Sequence, residues 1–168
     1  MSGALIVTAE LAQPDFAWLD GLRKRHFPPE RNQLSAHLTM FHAIPPSAEQ
    51  ELRTRLKAVT AGPRPSALIA GLMDLGGGVA FRVVSPDLDA VREDLAADLH
   101  GLLGAQDAGG WRPHVTIQNK VAPRVARDLR HSLEKDFEPR PLGISGLALH
   151  RYLGGPWETL AAYGFRNR

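Results

Sequence analysis

One short phrase occurs twice in this chain, and each copy ends with a proline. The first copy is SAHLTMFHAIP (Ser35–Pro45), and the second is RPHVTIQNKVAP (Arg112–Pro123). Each contains a histidine, an apolar residue, a threonine and another apolar residue, a composition typical of a β-strand. The two histidines, His37 and His114, lie 77 positions apart in a chain of 168 residues. A strand repeated at nearly half the chain length indicates an internal duplication.

The apolar periodicity and the Pro and Gly breakers predict the order β-α-β-α-ββ-α-β-α-ββ. The predicted helices cover residues 14–27, 47–62, 86–103 and 122–137, and the two predicted hairpins cover residues 66–85 and 142–165. Ser47 is the expected cap of the second helix. After the first strand and helix, the unit strand, helix, hairpin occurs twice, and each unit begins with the repeated phrase. We therefore expect residues 1–168 to form a single domain of two lobes.

The composition is that of an ordinary globular protein, with 43% hydrophobic and 23% charged residues. The absence of cysteine excludes disulfides and thiolate chemistry. The opening segment lacks a positively charged leader, and no apolar run approaches the roughly 18 residues of a membrane span. We therefore expect a cytoplasmic protein. The net charge of only +2 does not resemble the footprint of a duplex-binding protein.

Strand alternation assigns the histidine and threonine of each phrase to one face. The side chains assigned to these two faces are, in chain order, His37, Thr39, Phe41, His114, Thr116, Gln118 and Lys120. The opposite faces hold the apolar pairs Leu38/Met40 and Val115/Ile117, which we expect to pack on helices, and His42. If a pseudo-twofold axis relates the two halves, the polar faces meet across one cleft. Two imidazoles and two threonine hydroxyls then converge there.

This set of side chains suits the cleavage of a phosphodiester. An imidazole titrates near neutral pH, so one histidine can accept a proton while the other donates one. A threonine hydroxyl can donate a hydrogen bond to a phosphate oxygen without adding charge. The reaction therefore needs no metal or other cofactor. A zinc site is the weaker alternative, because neither phrase has an Asp or Glu on the same face to serve as a further ligand.

At these residues the sequence resembles the two-histidine (2H) phosphoesterase superfamily. This group includes 2'-5' RNA ligase-like proteins and RNA 2',3'-cyclic phosphodiesterases, and its signature is a pair of His-x-Thr/Ser-x motifs. The matching segments are HLTM at His37–Met40 and HVTI at His114–Ile117. The ending LHRYLGGPWETLAAYGF is also similar to the closing hairpin of the bacterial members, and the predicted element order fits over nearly the whole chain.

The resemblance implies an α+β fold of two lobes, with two antiparallel sheets flanked by helices around a central cleft. It implies metal-independent hydrolysis of a 2',3'-cyclic phosphate or a 2'-5' linkage. By this analogy His37 protonates the leaving oxygen, His114 activates water, and Thr39 and Thr116 hold the phosphate. Nothing in the sequence itself determines which histidine is the acid. The implied partners are RNA ends or small cyclic or 2'-5'-linked nucleotides, bound by a monomer with no membrane partner.

Three further residues are candidates for substrate binding. Phe41 could stack on a base or fill the floor of the cleft. Arg112 and Lys120 could meet a phosphate, or they could be solvated residues near the ends of the strand. Arg82 and Arg151 lie on the predicted hairpins, where the sequence does not show which way they face.

Two other functions remain open from the sequence. The protein could be a catalytically idle module that binds RNA or nucleotides, although the intact threonines of both motifs argue against this. It could also be a metal-dependent hydrolase, which chelator treatment distinguishes. The remaining histidines, His150 among them, and the aromatic residue Trp157 are assigned to packing or to the protein surface.

Overall fold

The computed structural model describes residues 3–166. The strands are β1 (Leu5–Leu11), β2 (Leu38–Ile44), β3 (Leu68–Asp74), β4 (Val79–Val84), β5 (His114–Gln118), β6 (Arg140–Pro141), β7 (Ile144–Tyr152) and β8 (Trp157–Gly164). The helices are α1 (Asp15–His26), α2 (Glu49–Thr60), α3 (Pro86–Asp98), α4 (Ala105–Ala108) and α5 (Pro123–Glu134). The predicted order is present, with the short α4 and β6 in addition. Within the described range, no helix has the length and apolarity that crossing a membrane requires.

The strands form two four-stranded antiparallel sheets. Sheet I has the strand order β2-β1-β7-β8, and sheet II has the order β5-β4-β3-β6. Helices α1 and α5 pack on sheet II, and α2 packs on the β7–β8 hairpin of sheet I. The expected α+β architecture of two antiparallel sheets flanked by helices is therefore confirmed.

The sheets exchange strands between the two halves of the chain. Strand β1 of the first half pairs with β7 of the late hairpin, and β4 pairs with β3 from the first half. The repeated unit is therefore β1-α1-β2-α2-β3 followed by β4-α3-β5-α5-β7, and the third strand of each unit lies in the other sheet. The predicted unit of strand, helix and hairpin also occurs twice, as β2-α2-β3-β4 and as β5-α5-β7-β8 with the short β6 in addition. This exchange links the lobes covalently and by hydrogen bonds.

The apolar residues of the two phrases are in the core, as predicted. Leu38, Met40, Val115 and Ile117 all have a relative exposure of 0%. One continuous cluster of buried side chains contains residues of both sheets. Because period-2 alternation buries these residues, it leaves the histidine and threonine of each phrase on the open side.

A β-bulge in β2 changes the phase of the alternation after Thr39. Thr39 is opposite Thr8 and Phe41 is opposite Val7, so Met40 has no partner on β1. Two successive side chains then point into the core. Phe41 is fully buried, with its ring 4.4 Å from the guanidinium of Arg92. The predicted position of Phe41 on the His37 face is therefore wrong, and a base cannot reach its ring.

The same bulge leaves His42 exposed, where the sequence placed it against the helices. Its backbone N–H and that of Ala43 each donate to the Asp107 carboxylate at 2.8 Å. Asp107 lies on α4, within a segment predicted to be a loop. This carboxylate occupies backbone donors on the free edge of β2, which would otherwise be open to another strand.

The second helix begins two residues later than predicted, and α1 and α5 each begin one residue later. A 3₁₀ turn at Pro46–Ala48 precedes α2, so the helix is capped by Ala48 without a side-chain hydrogen bond, and the predicted cap Ser47 is wrong. Ser85 does cap α3, because its hydroxyl accepts from the backbone N–H of Leu88 at 3.0 Å.

Candidate active site

The two motif histidines lie at the start of two neighbouring strands. His37 immediately precedes β2, and His114 is the first residue of β5. Both strands are outer strands of their sheets, and they contact one another where the two sheets meet. The charge of His114 acts on His37, which places the two rings near each other. One histidine from each sheet therefore faces a common cleft.

Both imidazole rings are held in the same way. The Nδ1 atom of His37 lies 2.7 Å from the carbonyl oxygen of Ser35, and Nδ1 of His114 lies 2.7 Å from the carbonyl oxygen of Arg112. A carbonyl oxygen only accepts, so Nδ1 carries the hydrogen in both rings. Each ring therefore presents Nε2 to the cleft, as a base when neutral and as an acid when protonated. The duplicated chain has kept this backbone hydrogen bond in both halves.

The imidazole of His37 is half-buried. Burial lowers its pKa from 6.5 to about 4; the hydrogen bond to Ser35 opposes this shift, and the positive charges of Arg23, His150 and His114 add to it. The ring of Trp157 packs edge-on against the imidazole, with 4.8 Å between centroids. His37 is consequently neutral in the free protein at pH 7.

The motif threonines lie beside the histidines and are half-buried. Their backbone carbonyls are held by side chains from elsewhere in the chain. Trp111 Nε1 donates to the carbonyl of Thr39 at 3.1 Å, and Arg23 Nη1 donates to the carbonyl of Thr116 at 3.0 Å. Arg23 also donates from Nε to Asn32 at 2.8 Å. Because β2 and β5 are outer strands, these side chains replace the strand partner that they lack.

On the sheet II side, Arg82 lies next to His114. The two residues are directly opposite across the β4–β5 pair, so their side chains point to the same face. The guanidinium of Arg82 extends across Gly71, where an added Cβ would lie 3.3 Å from Nη2. Arg82 is exposed and has no ion-pair partner among residues 3–166. The guanidinium of Arg82 therefore lies over β3, on the side of β4 away from β5.

On the sheet I side, a cavity of about 360 Å³ opens beside His37. Its walls come from β1, α1, the loop before β2, and the β7–β8 hairpin. His150 forms part of its floor and joins two hydroxyls: Nε2 lies 2.9 Å from Thr8 Oγ1, and Nδ1 lies 3.0 Å from Thr159 Oγ1. Burial lowers the pKa of His150. The sequence assigned His150 and Trp157 to packing, and no local signal distinguishes them, because the cavity is built from four separate segments.

The remaining candidates lie at the ends of β5. The strand ends at Gln118, so Lys120 is in a turn with a φ of 65° and is not on the strand face that the sequence assigned to it. Gln118 is buried. Arg112 is exposed, precedes the strand, and contributes its carbonyl to His114. Arg151 is held by Glu49 at 2.9 Å.

The arrangement can transfer protons and hold an anion. The His-x-Thr motifs of the two sheets lie at the starts of β2 and β5, which contact one another where the sheets meet. Among residues 3–166, no three His, Asp or Glu side chains are grouped so that they could hold a metal ion.

Two sheets that each contribute a His-x-Thr strand to a shared cleft define a protein of the two-histidine phosphoesterase class. The family model of the 2'-5' RNA ligase superfamily matches residues 11–156, and the chain belongs to this superfamily. The membership supports a phosphoesterase- or ligase-like activity. No curated protein matches the chain significantly.

Solved structures share the fold over the whole chain. The protein TT0787 of Thermus thermophilus superposes with a TM-score of 0.61 at 18% identity, covering 98% of this chain and 99% of that one. E. coli LigT complexed with 3'-AMP gives a TM-score of 0.60 at 14% identity, covering 98% and 99%. A further structure described as a phosphoesterase gives 0.59 at 16% identity, covering 97% and 98%. At these identities the likeness shows the fold alone.

Proposed function

We propose that the protein is a phosphodiesterase that hydrolyses 2',3'-cyclic phosphates or 2'-5' linkages of RNA or nucleotides, with His37 and His114 as acid and base and without a metal ion. The observation that carries this proposal is the matched orientation of the two imidazoles, each of which donates from Nδ1 and presents Nε2 to one cleft. The LigT structures in complex with 3'-AMP, ATP and NADP+ support a nucleotide ligand. A cytoplasmic location and a monomeric state stay predictions.

The proposed reaction is a single displacement at phosphorus. Nε2 of His114 takes a proton from water as the water oxygen bonds to phosphorus. The bond from phosphorus to the leaving ribose oxygen breaks, and that oxygen takes the proton from Nε2 of His37. Thr39 and Thr116 donate to the non-bridging oxygens, and Arg82 balances their charge. The product is a phosphate monoester on the other ribose oxygen, or two separate chains when the substrate has a 2'-5' linkage.

The acid role of His37 requires that substrate binding protonate it. Its pKa is about 4 in the free protein, because the ring is buried and lies near other cations. A bound phosphate adds negative charge beside the ring, which raises this pKa. The opposite assignment, with His37 as the base, agrees with its neutral state in the free protein. A substrate with a very good leaving group separates the two, because it needs no acid and restores activity only to the variant that lacks the acid. We expect it to rescue His37→Ala.

The central test is a substrate screen with the purified chain. It uses 2',3'-cyclic nucleotides, RNA ending in a cyclic phosphate, and 2'-5' dinucleotides, and ³¹P NMR locates the product phosphate. We expect turnover of at least one class, unchanged by EDTA. Loss of activity in EDTA that zinc or magnesium restores would contradict the mechanism. Near-normal activity of His37→Ala and His114→Ala would contradict the assignment of the site.

A further inference from the structure

The cavity beside His37 differs in chemistry from the other side of the cleft. None of the described residues that line it is an arginine or lysine, and Glu10 contributes a carboxylate. The two imidazoles in its wall, His37 and His150, have lowered pKa values because they are buried, so both are neutral at pH 7. A phosphate group would meet no cationic side chain in this lining and would face Glu10. Arg82, an exposed arginine without an ion-pair partner among residues 3–166, lies on the other sheet, with its guanidinium over Gly71.

We propose that this cavity is the subsite for the uncharged nucleoside of the substrate, with the phosphate held between the two histidines. The proposal rests on the phosphodiesterase function proposed above, and it adds the orientation in which the substrate binds. The nucleoside lies over sheet I, and the charged end of the substrate faces sheet II.

The lining of the cavity matches a flat ring with polar edges. Trp157 and Phe16 provide aromatic surface, and Gln33 and Ser35 provide hydrogen-bonding groups at the mouth. Gln33 packs so closely on the β7–β8 turn that a Cβ at Gly155 would lie 2.7 Å from its side-chain oxygen. The volume of about 360 Å³ is near the lower end of the range of small-ligand pockets, about 300–1,000 Å³. It therefore accommodates one nucleoside and not a longer piece of RNA.

The hydrogen bonds of His150 predict how selective the subsite is. A neutral imidazole has one N–H and one lone pair, so one of Thr8 and Thr159 donates to it and the other accepts from it. The hydroxyl that donates to the ring keeps its lone pairs for a ligand, and the one that accepts keeps its hydrogen. A change of tautomer at His150 exchanges these roles without moving a heavy atom. We therefore expect binding to require a nucleobase on the ligand but to depend little on which nucleobase it is.

The position of the subsite also bears on the proton transfers. In a 2',3'-cyclic phosphate, the leaving oxygen belongs to the ribose of the terminal nucleoside. A nucleoside in this cavity places that oxygen on the side of His37, and the attacking water then approaches from the side of His114. The subsite thus agrees with His37 as the acid.

The test compares substrates with and without a base. Adenosine and uridine 2',3'-cyclic phosphates are measured against ribose 2',3'-cyclic phosphate, using wild type, Trp157→Ala and Thr159→Val. For each variant we divide kcat/KM for the nucleoside cyclic phosphate by kcat/KM for ribose cyclic phosphate. Any effect of the substitution on His37 cancels in this ratio, because both substrates react at the same histidine. We expect the ratio to fall about 5- to 150-fold in Trp157→Ala, the range that about 1–3 kcal/mol per stacked base corresponds to. Thr159→Val should lower it about 2- to 10-fold, since it removes one neutral hydrogen bond.

Thr54→Val is the matched control, because Thr54 is exposed on α2 and hydrogen-bonds only within its helix. It should leave the ratio unchanged. Adenosine and uridine substrates should differ less than about fivefold, within the range of one neutral hydrogen bond. An unchanged ratio in both cavity variants would overturn the nucleoside subsite while leaving the phosphodiesterase proposal intact.

A binding experiment separates the subsite from catalysis. Adenosine and inorganic phosphate are titrated separately into the ¹⁵N-labelled chain, and the Trp157 indole N–H is followed by NMR. We expect adenosine to shift this signal and phosphate not to shift it. The same result is expected even if the protein hydrolyses none of the substrates tested. Absence of an adenosine shift at Trp157, or an equal shift with phosphate, would overturn the subsite.

Discussion

His37 should stay neutral in the ligand-free protein down to about pH 4, because burial lowers its pKa from 6.5 to that value. At pH 7 a group with this pKa is protonated in about one molecule in a thousand. The direct assay is an NMR titration of the histidine ring signals, with His37 assigned by its loss in His37→Gln. Trp157→Ala should move the pKa of His37 upward, since it opens the ring to water.

The same shift makes folding stability depend on pH. Between the folded pKa of about 4 and the unfolded value of 6.5, the unfolded chain binds the proton and the folded chain does not. The stability that His37 contributes is therefore complete above pH 6.5 and is lost as the pH falls towards 4. The linkage relation gives a loss of about 2 kcal/mol between about pH 7 and about pH 4.5. Urea unfolding of the wild type should show this extra loss, and His37→Gln should not.

His131→Gln, on the exposed surface of α5, is the control for both measurements, and it should retain the loss seen in the wild type. Either of two results would refute the argument that the pocket walls desolvate this ring. One is a pKa of His37 at or above about 6, near the ordinary histidine value. The other is an equal loss of stability in acid for the wild type and His37→Gln.

Three other predictions follow from the site. Replacing His37 or His114 by Ala should lower turnover about 10²- to 10⁴-fold, and the double variant should lose far less than the product because both belong to one proton-transfer unit, as steady-state kinetics will show. Arg82→Gln should weaken turnover of the charged substrate and its inhibition by phosphate, whereas Arg64→Gln, on an exposed loop, should not; equal kinetics of the two variants would remove Arg82 from the site. Lys120→Gly should raise the free energy of unfolding by up to about 1 kcal/mol because it relieves a positive φ, and Lys120→Ala should not; if both lower activity alike, the charge of Lys120 contributes to binding after all.

The sequence alone determined the features that depend on neighbouring residues. Period-2 alternation needs only the local strand, so it correctly buried Leu38 and Val115 and turned the two histidines away from the core. The repeat of the phrase at half the chain length also predicted a paired site, since a duplicated strand carries its orientation with it. The Nδ1 hydrogen bonds reach only two residues back, which is why they occur in both copies.

The tertiary structure decided everything that depends on a second segment. The bulge that buries Phe41 is a property of the pairing between β1 and β2, and no pattern within β2 reveals it. The exchange of β3 and β7 between the sheets has no local signal, because antiparallel pairing is compatible with either partner. The environment of His37 is likewise assembled from Trp157, His150 and Arg23, which are distant in the chain. Desolvation and charge act through space, and for this reason the low pKa of His37 and the cavity beside it exist only in the folded protein.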